Sequence, residues 1–156
     1  MIGIECDASL AARARANLAP VPTASVVEDN GATMRLSATD VLYVNAGVTR
    51  LEDTWLDALS DGGRMIVPLT TDGNFPSSSS GAYFLIRRRG SEFEARGVLA
   101  TAIIPAEGVR DKVSEAALAA AFVNKDWRSV TRLVRGGAEP DERCWLRGDG
   151  WSLVSD

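Results

Sequence analysis

Glu5 stands near the end of a short apolar run, Ile2-Gly3-Ile4-Glu5-Cys6-Asp7, which reads as a buried strand closing on acids. A carboxylate in that position can accept from both hydroxyls of a vicinal diol such as a ribose, through bonds strengthened by its charge. Nucleotide-binding α/β sheets use a strand-end acid in this way, and the glycine-rich turn that holds the rest of the cofactor precedes it by about 20 residues. Counting back from Glu5 runs past residue 1, so the sequence carries half of such a site. The same acid could instead cap the helix that follows, and the residue alone fits both uses. Asp7 suits the cap itself, since helix starts favour Asp.

A second candidate is Asp29-Asn30-Gly31, which follows the strand-like run Ala24-Ser25-Val26-Val27-Glu28. Ligands of open α/β sheets sit outside the carboxyl ends of strands. A carboxylate or amide there can read an adenine edge. Asp-Asn and Asn-Gly are also ordinary turn formers, and both uses stay open on these residues alone.

Composition closes off other chemistry. The chain has no histidine, which removes the commonest general base and any imidazole triad. Cys6 and Cys144 are the only cysteines. Two distant thiols without histidine exclude a structural zinc site and fit a reducing, cytoplasmic setting. No apolar run reaches membrane-spanning length, and no secretory signal pattern opens the chain. The net charge of −4 argues against a nucleic-acid surface. Arg87-Arg88-Arg89 is a local basic spot that reads as a solvated hairpin end.

The elements that would position these residues follow an α/β rhythm. After the opening strand, Leu10, Ala14 and Leu18 share a helix face that Pro20 ends. Asp40-Val41-Leu42-Tyr43-Val44 is a nearly continuous apolar run, as expected of a strand buried on both faces. Asn45-Ala46-Gly47 closes it. Thr49 and Glu52 have capping-box spacing before a helix that turns Leu51, Trp55, Leu56 and Leu59 inward. Asp61-Gly62-Gly63 leads into the strand Arg64–Leu69. Residues 70–81, with four consecutive serines, read as a loop. Tyr83–Arg88 and Glu92–Ile104 read as an antiparallel pair turning at Arg89-Gly90-Ser91. Ser114 is placed to cap a helix with Leu118, Ala121 and Phe122 inward. In the tail from Trp127, Val130, Leu133 and Val134 fit a helix face or a strand equally. Val130 to Pro140 looks like the end of an ankyrin repeat, but one copy cannot build a stacked array.

Taken in order, Glu5, Asp29-Asn30-Gly31, Asp40–Val44, Trp55–Leu59 and Gly62-Gly63-Arg64-Met65-Ile66-Val67-Pro68 resemble class I S-adenosylmethionine-dependent methyltransferases. The nearest branch is the protein-L-isoaspartate O-methyltransferase family, over roughly residues 2–105. The resemblance implies a Rossmann-like sheet, three-layered, with parallel strands followed by an antiparallel hairpin. It implies S-adenosylmethionine as cofactor, with Glu5 on its ribose, Cys6 near its adenine, and Asn30 (or Asp29, one position early) on the adenine edge. It further implies a protein or peptide acceptor, with Asn45, Ala46 and Gly47 on the acceptor side, and it names no general base.

The sequence departs from that family where the first strand, the glycine-rich loop and the preceding acceptor segment belong. The expectation is one N-terminally truncated domain over 1–156: a βαβ half (1–69), a loop (70–81), a hairpin (82–105), and a helix with tail (106–156). Such a chain is expected to have little or no activity alone. The absent strand is central, so its two neighbours keep unpaired edges that invite self-association. A non-catalytic module using the same sheet for protein contacts is the alternative.

A rival resemblance, to short-chain dehydrogenases, rests on Asp40–Thr49. Those enzymes need Tyr-x-x-x-Lys, and here Tyr83 is followed by Arg87.

Overall fold

The computed structural model describes residues 1–72, 81–136 and 142–156. The described chain forms two compact units, Met1–Leu36 and Ser37–Asp156. The serine run and the end of the ankyrin-like stretch lie outside the described residues.

The first unit is a βαβ element: β1 (Ile2–Glu5), α1 (Ala8–Leu18) and β2 (Ser25–Glu28). The strands pair in parallel from Ile2 with Ser25 to Glu5 with Glu28, and α1 supplies the crossover that parallel pairing requires. Asp7 caps α1 as expected, its Oδ1 accepting from the Leu10 N–H at 2.8 Å. The buried face of α1 differs from the expected one by a single position. Ala11 is fully buried with Ala14 and Leu18 beside it, while Leu10 is exposed. Residues 11, 14 and 18 form one stripe at 3.6 residues per turn, and Leu10 lies about 100° round from Ala11.

The second unit holds a seven-stranded sheet in the order β3-β4-β5-β6-β7-β9-β8. β3 (Thr39–Tyr43) and β4 (Leu59–Thr70) run parallel, with α2 (Asp53–Ala58) between them. β5 (Gly81–Arg89) and β6 (Glu92–Ala100) form the expected antiparallel hairpin. Its turn has two residues, and Gly90 takes the φ of +60° that such turns need. Thr70 and Gly81, expected in the loop, are register partners at the ends of β4 and β5. α3 (Lys112–Asn124) follows, then a 3-10 turn (Trp127–Ser129), β7 (Val130–Arg135), β8 (Cys144–Arg147) and β9 (Trp151–Ser155). The ambiguous tail is therefore strand: Leu133 pairs across to Leu153.

Period-2 alternation places Met65, Val67 and Leu69 of β4 and Ala82, Phe84 and Ile86 of β5 on one fully buried face. Phe84 lies at its centre, with ring centroids 5.1 Å from Trp145 and 6.3 Å from Trp127.

Three local expectations are corrected. β3 is not buried on both faces: its sole hydrogen-bonded neighbour among the described residues of this sheet is β4, and Val41 and Tyr43 are 52% and 57% exposed. The Thr49–Glu52 capping box does not form. Glu52 is the N-cap of α2 without a side-chain cap bond and binds Arg50 at 2.9 Å, while Thr49 Oγ1 lies 2.6 Å from Ser114 Oγ. Asp111, not Ser114, caps α3, with Oδ1 accepting from the Val113 and Ser114 N–H groups at 2.9 Å each.

The Asp111 cap has a pH signature. Its carboxyl is held down at about 2, against an ordinary 3.8, first by the Ser114 N–H and hydroxyl and further by Arg50 and the Val113 N–H. A depressed folded pKa means that the unfolded chain takes up the proton first as pH falls. The stabilisation is complete above pH 3.8 and is lost on the way down to about 2. Asp111→Asn is therefore expected to lower Tm clearly at pH 7, with the gap to the parent narrowing below pH 4 in an acid series of thermal melts.

Candidate functional site

The carboxyl ends of β1 and β2 bring Glu5, Cys6, Asp29 and Asn30 together within the first unit. Glu5 and Glu28 are register partners, and the Asp29 N–H donates to the Glu5 carbonyl at 3.1 Å. One carboxylate oxygen of Glu5 accepts from the Asp7 N–H at 3.0 Å, which shapes the strand-to-helix turn. The helix cap is Asp7, whose carboxyl is held below its ordinary range first by the Ser9 hydroxyl and then by the Leu10 N–H. Glu5 is thus not the cap, and a carboxylate has a second oxygen for a ligand hydroxyl. Cys6 carries an exposed thiol.

Asp29 and Asn30 turn the chain by their own side chains. Asp29 Oδ1 accepts from the Asn30 N–H at 2.7 Å, and Asn30 Oδ1 accepts from the Ala32 N–H at 2.9 Å. The Asn30 carbonyl takes the Thr33 and Met34 N–H groups at 3.1 and 2.8 Å. This is the Asx-turn chemistry of an ordinary turn. The amide oxygen has two lone pairs and the amide nitrogen two protons, so Asn30 retains capacity for an adenine edge.

Asn45, Ala46 and Gly47 lie in the second unit, after β3. The Tyr43 hydroxyl donates to Asn45 Oδ1 at 2.8 Å. The phenol of Tyr83 is pushed up by burial first and by the neighbouring Tyr43 second. That shift opposes the lowered tyrosine pKa a short-chain dehydrogenase requires. Tyr83 and Arg87 also lie four residues apart along β5, roughly 13 Å in an extended strand, where a helix would bring such a pair together.

Gly47 is the tightest point of the loop. Its N–H donates to the Ile104 carbonyl, and its own carbonyl accepts from the Ala106 N–H, both at 2.8 Å. A Cβ here would lie 2.1 Å from Thr70 Oγ1, so only glycine fits without displacement. Arg110, which sequence reasoning missed, holds the same carbonyl. Nη1 donates to Gly47 O at 2.9 Å and to Thr70 Oγ1 at 3.2 Å. Nη2 donates to Asp72 at 2.6 Å and to Glu115 at 2.7 Å. The guanidinium ties the loop, the end of β4 and α3 into one node. No motif marks it, because three of its partners are 38 to 63 positions away in the chain.

The basic spot at Arg87-Arg88-Arg89 is a hairpin end as expected. Arg89 pairs with Glu94 at 3.1 Å, and Arg88 reaches the Leu59 carbonyl at 2.8 Å. No helix among the described residues is long and apolar enough to cross a membrane.

Comparison with known proteins places these features in a wider group. The family model described as Protein-L-isoaspartate(D-aspartate) O-methyltransferase (PCMT) matches residues 1–108. A solved protein-L-isoaspartate O-methyltransferase superposes with a TM-score of 0.61 at 18% identity, over 99% of this chain and 56% of its own. A putative protein-L-isoaspartate O-methyltransferase from Plasmodium falciparum, in complex with S-adenosyl-L-homocysteine, superposes with a TM-score of 0.52 at 15% identity. It is covered over 50% of its length, by 67% of this chain. At these identities the likeness is one of fold, and the chain spans 56% and 50% of the two solved proteins. No curated protein matches.

Proposed function

Because the chain belongs to the protein-L-isoaspartate(D-aspartate) O-methyltransferase family, we propose that it carries part of an S-adenosylmethionine-dependent carboxyl methyltransferase acting on a protein or peptide, in a cytoplasmic setting. The observation that carries this reading is the convergence of Glu5, Cys6, Asp29 and Asn30 on one strand-end edge of the β1–β2 pair. A carboxylate suits a ribose diol and an amide suits an adenine edge, so the donor set fits the adenosine half of that cofactor.

When bound, S-adenosylmethionine supplies an electrophilic methyl group to an acceptor oxygen. Glu5 would hold the ribose hydroxyls and fix the adenosine in register with β1. Asn30, or Asp29 beside it, would take the adenine amino group, and Cys6 would line the ring. Asn45, Ala46 and Gly47 would serve the acceptor, with Gly47 fixed by Arg110. An isoaspartyl carboxylate is already ionised at neutral pH, so this chain needs no general base, and positioning of the reactants is the catalytic contribution.

Calorimetry with S-adenosylhomocysteine tests the reading. The chain alone is expected to bind weakly, and Glu5→Gln to weaken binding by about tenfold or more, as loss of a charged hydrogen-bond partner implies. Supplying the first-strand and glycine-rich segment of a full-length relative is expected to tighten binding. Micromolar affinity of the chain alone would refute the incomplete cofactor site. Indifference to Glu5→Gln would remove the assigned ribose contact.

The second reading, a non-catalytic interaction module, draws on the sheet edges: among the described residues β1 pairs only with β2 and β3 only with β4. It expects self-association or stable hetero-complexes by sedimentation, and no methyl transfer even with the added segment.

A further inference from the structure

Asn30 is the only one of the chain's five asparagines that precedes a glycine. An asparagine so placed is chemically labile. The next backbone nitrogen can attack its side-chain amide, and glycine has no Cβ to hinder the approach. The fold does not account for this glycine. Gly31 is not among the glycines of positive φ, and a Cβ built on it would meet nothing nearer than Ile4 Cγ2 at 3.7 Å, an ordinary contact. At Gly47, by contrast, the nearest atom would lie 2.1 Å away. Conformation and space both admit another residue at position 31. What glycine supplies there is an unhindered nitrogen beside Asn30.

The turn also prepares the amide for that attack. Asn30 Oδ1 accepts from the Ala32 N–H at 2.9 Å, so a donor already faces the oxygen on which charge develops when the amide carbon is attacked. Asn30 is half-buried while Asp29 and Thr33 are exposed, which gives water access to the turn.

We propose that Asn30-Gly31 is a self-modification site, a deamidation that retunes the adenine contact as the protein ages. The retuning rests on the assignment of Asn30 to the adenine edge. The Gly31 nitrogen gives its proton to solvent base and bonds to Asn30 Cγ. The Cγ–Nδ2 bond breaks, ammonia leaves, and a cyclic imide remains. Water, the sole co-reactant, opens the ring at either carbonyl. Opening at Cγ restores the ordinary main chain with a carboxylate where the amide stood. Opening at the main-chain carbonyl routes the backbone through the side chain, as an isoaspartyl residue.

The two products act in opposite senses. In the first, the carboxylate keeps the Ala32 bond and accepts from the adenine amino group with its charge added, which strengthens such bonds. In the second, the carbonyl that accepts from the Thr33 and Met34 N–H groups at 3.1 and 2.8 Å becomes a free carboxylate outside the main chain. The main chain between β2 and the turn lengthens, and the turn that presents the adenine contact is lost.

The test keeps the full chain in mildly alkaline buffer and maps its peptides by mass spectrometry over time. Conversion is expected at Asn30 well ahead of Asn17, Asn45 and Asn124, with both products told apart by their fragmentation. Gly31→Ala is expected to slow it about tenfold or more, as a methyl group beside the attacking nitrogen implies. Adenosine, titrated against backbone amide shifts, is expected to bind Asn30→Asp several-fold more tightly than the fresh parent, and the isoaspartyl fraction not at all. Conversion at Asn30 no faster than at the other asparagines, or undiminished in Gly31→Ala, would overturn the proposal and leave the adenosine assignment standing. Conversion with equal adenosine binding by the fresh parent, Asn30→Asp and the isoaspartyl fraction would overturn it by removing its consequence. Conversion with no adenosine binding in any form would refute the adenosine assignment itself, and the retuning with it.

Discussion

Phe84→Ala is expected to cost about 3–5 kcal/mol of stability, in the range for removing a fully buried aromatic ring. Phe84 is 0% exposed on the central strand β5. Its ring lies 5.1 Å from Trp145 and 6.3 Å from Trp127, and Trp145 in turn meets Phe122 at 5.2 Å. One deletion therefore leaves a void bordered by β8 and the 3-10 turn, with α3 packed behind Trp145, elements that cannot all collapse toward it at once. Urea unfolding followed by tryptophan fluorescence reads the effect directly. Phe84→Leu is expected to recover more than half of the loss, and a cost for alanine below about 1 kcal/mol would show the core to be elsewhere.

Arg110→Ala is expected to cost about 2–4 kcal/mol, somewhat below the full figure for breaking a buried ion pair. The Arg110 side chain is 11% exposed and Glu115 25%, but Asp72 at 66% can return to water when its partner is lost. Two effects add to the lost pairing. The half-buried Glu115 loses its guanidinium partner, and the Gly47 carbonyl and Thr70 hydroxyl lose a donor. Nε of Arg110 is already buried without a partner, so part of the desolvation cost is borne in the intact chain. Arg110→Lys is expected to lie between, since one ammonium cannot reproduce the four bonds of the planar guanidinium. Thermal melts of the three proteins check the order, and equal Tm values would show that the node is not structural.

The sequence marks elements whose signal is local. The β5–β6 hairpin is legible from its alternation and from Gly90, and β4 from Met65, Val67 and Leu69 around a glycine-rich entry. The family is legible from the order of weak motifs over residues 2–105, and the family match spans 1–108. What escapes is set by partners distant in the chain. Val130, Leu133 and Val134 fit two periods equally, and pairing with β9, centred on Leu153, decides for strand. The apolar run of β3 has the composition of a central strand, yet whether a neighbour covers it is not written in the run. Asp111 and Ser114 are both good cap formers three residues apart, and the turn geometry selects Asp111. Arg110 is invisible because nothing in its own neighbourhood distinguishes it from a surface arginine.

The first unit places its candidate cofactor acid on two strands of four residues each, and Ala11 and Ala32 are its only buried apolar side chains. Segments of fewer than about 40 residues seldom stay folded on a core of their own, and two-stranded sheets are marginal in water. Sub-global opening of residues 1–36 should then be the lowest rung of the chain's ladder of fluctuations. If Glu5 holds the ribose as proposed, apparent affinity there scales with the fraction of time these residues are ordered. A factor that did no more than raise that fraction would act as an activator of cofactor capture without touching the cofactor.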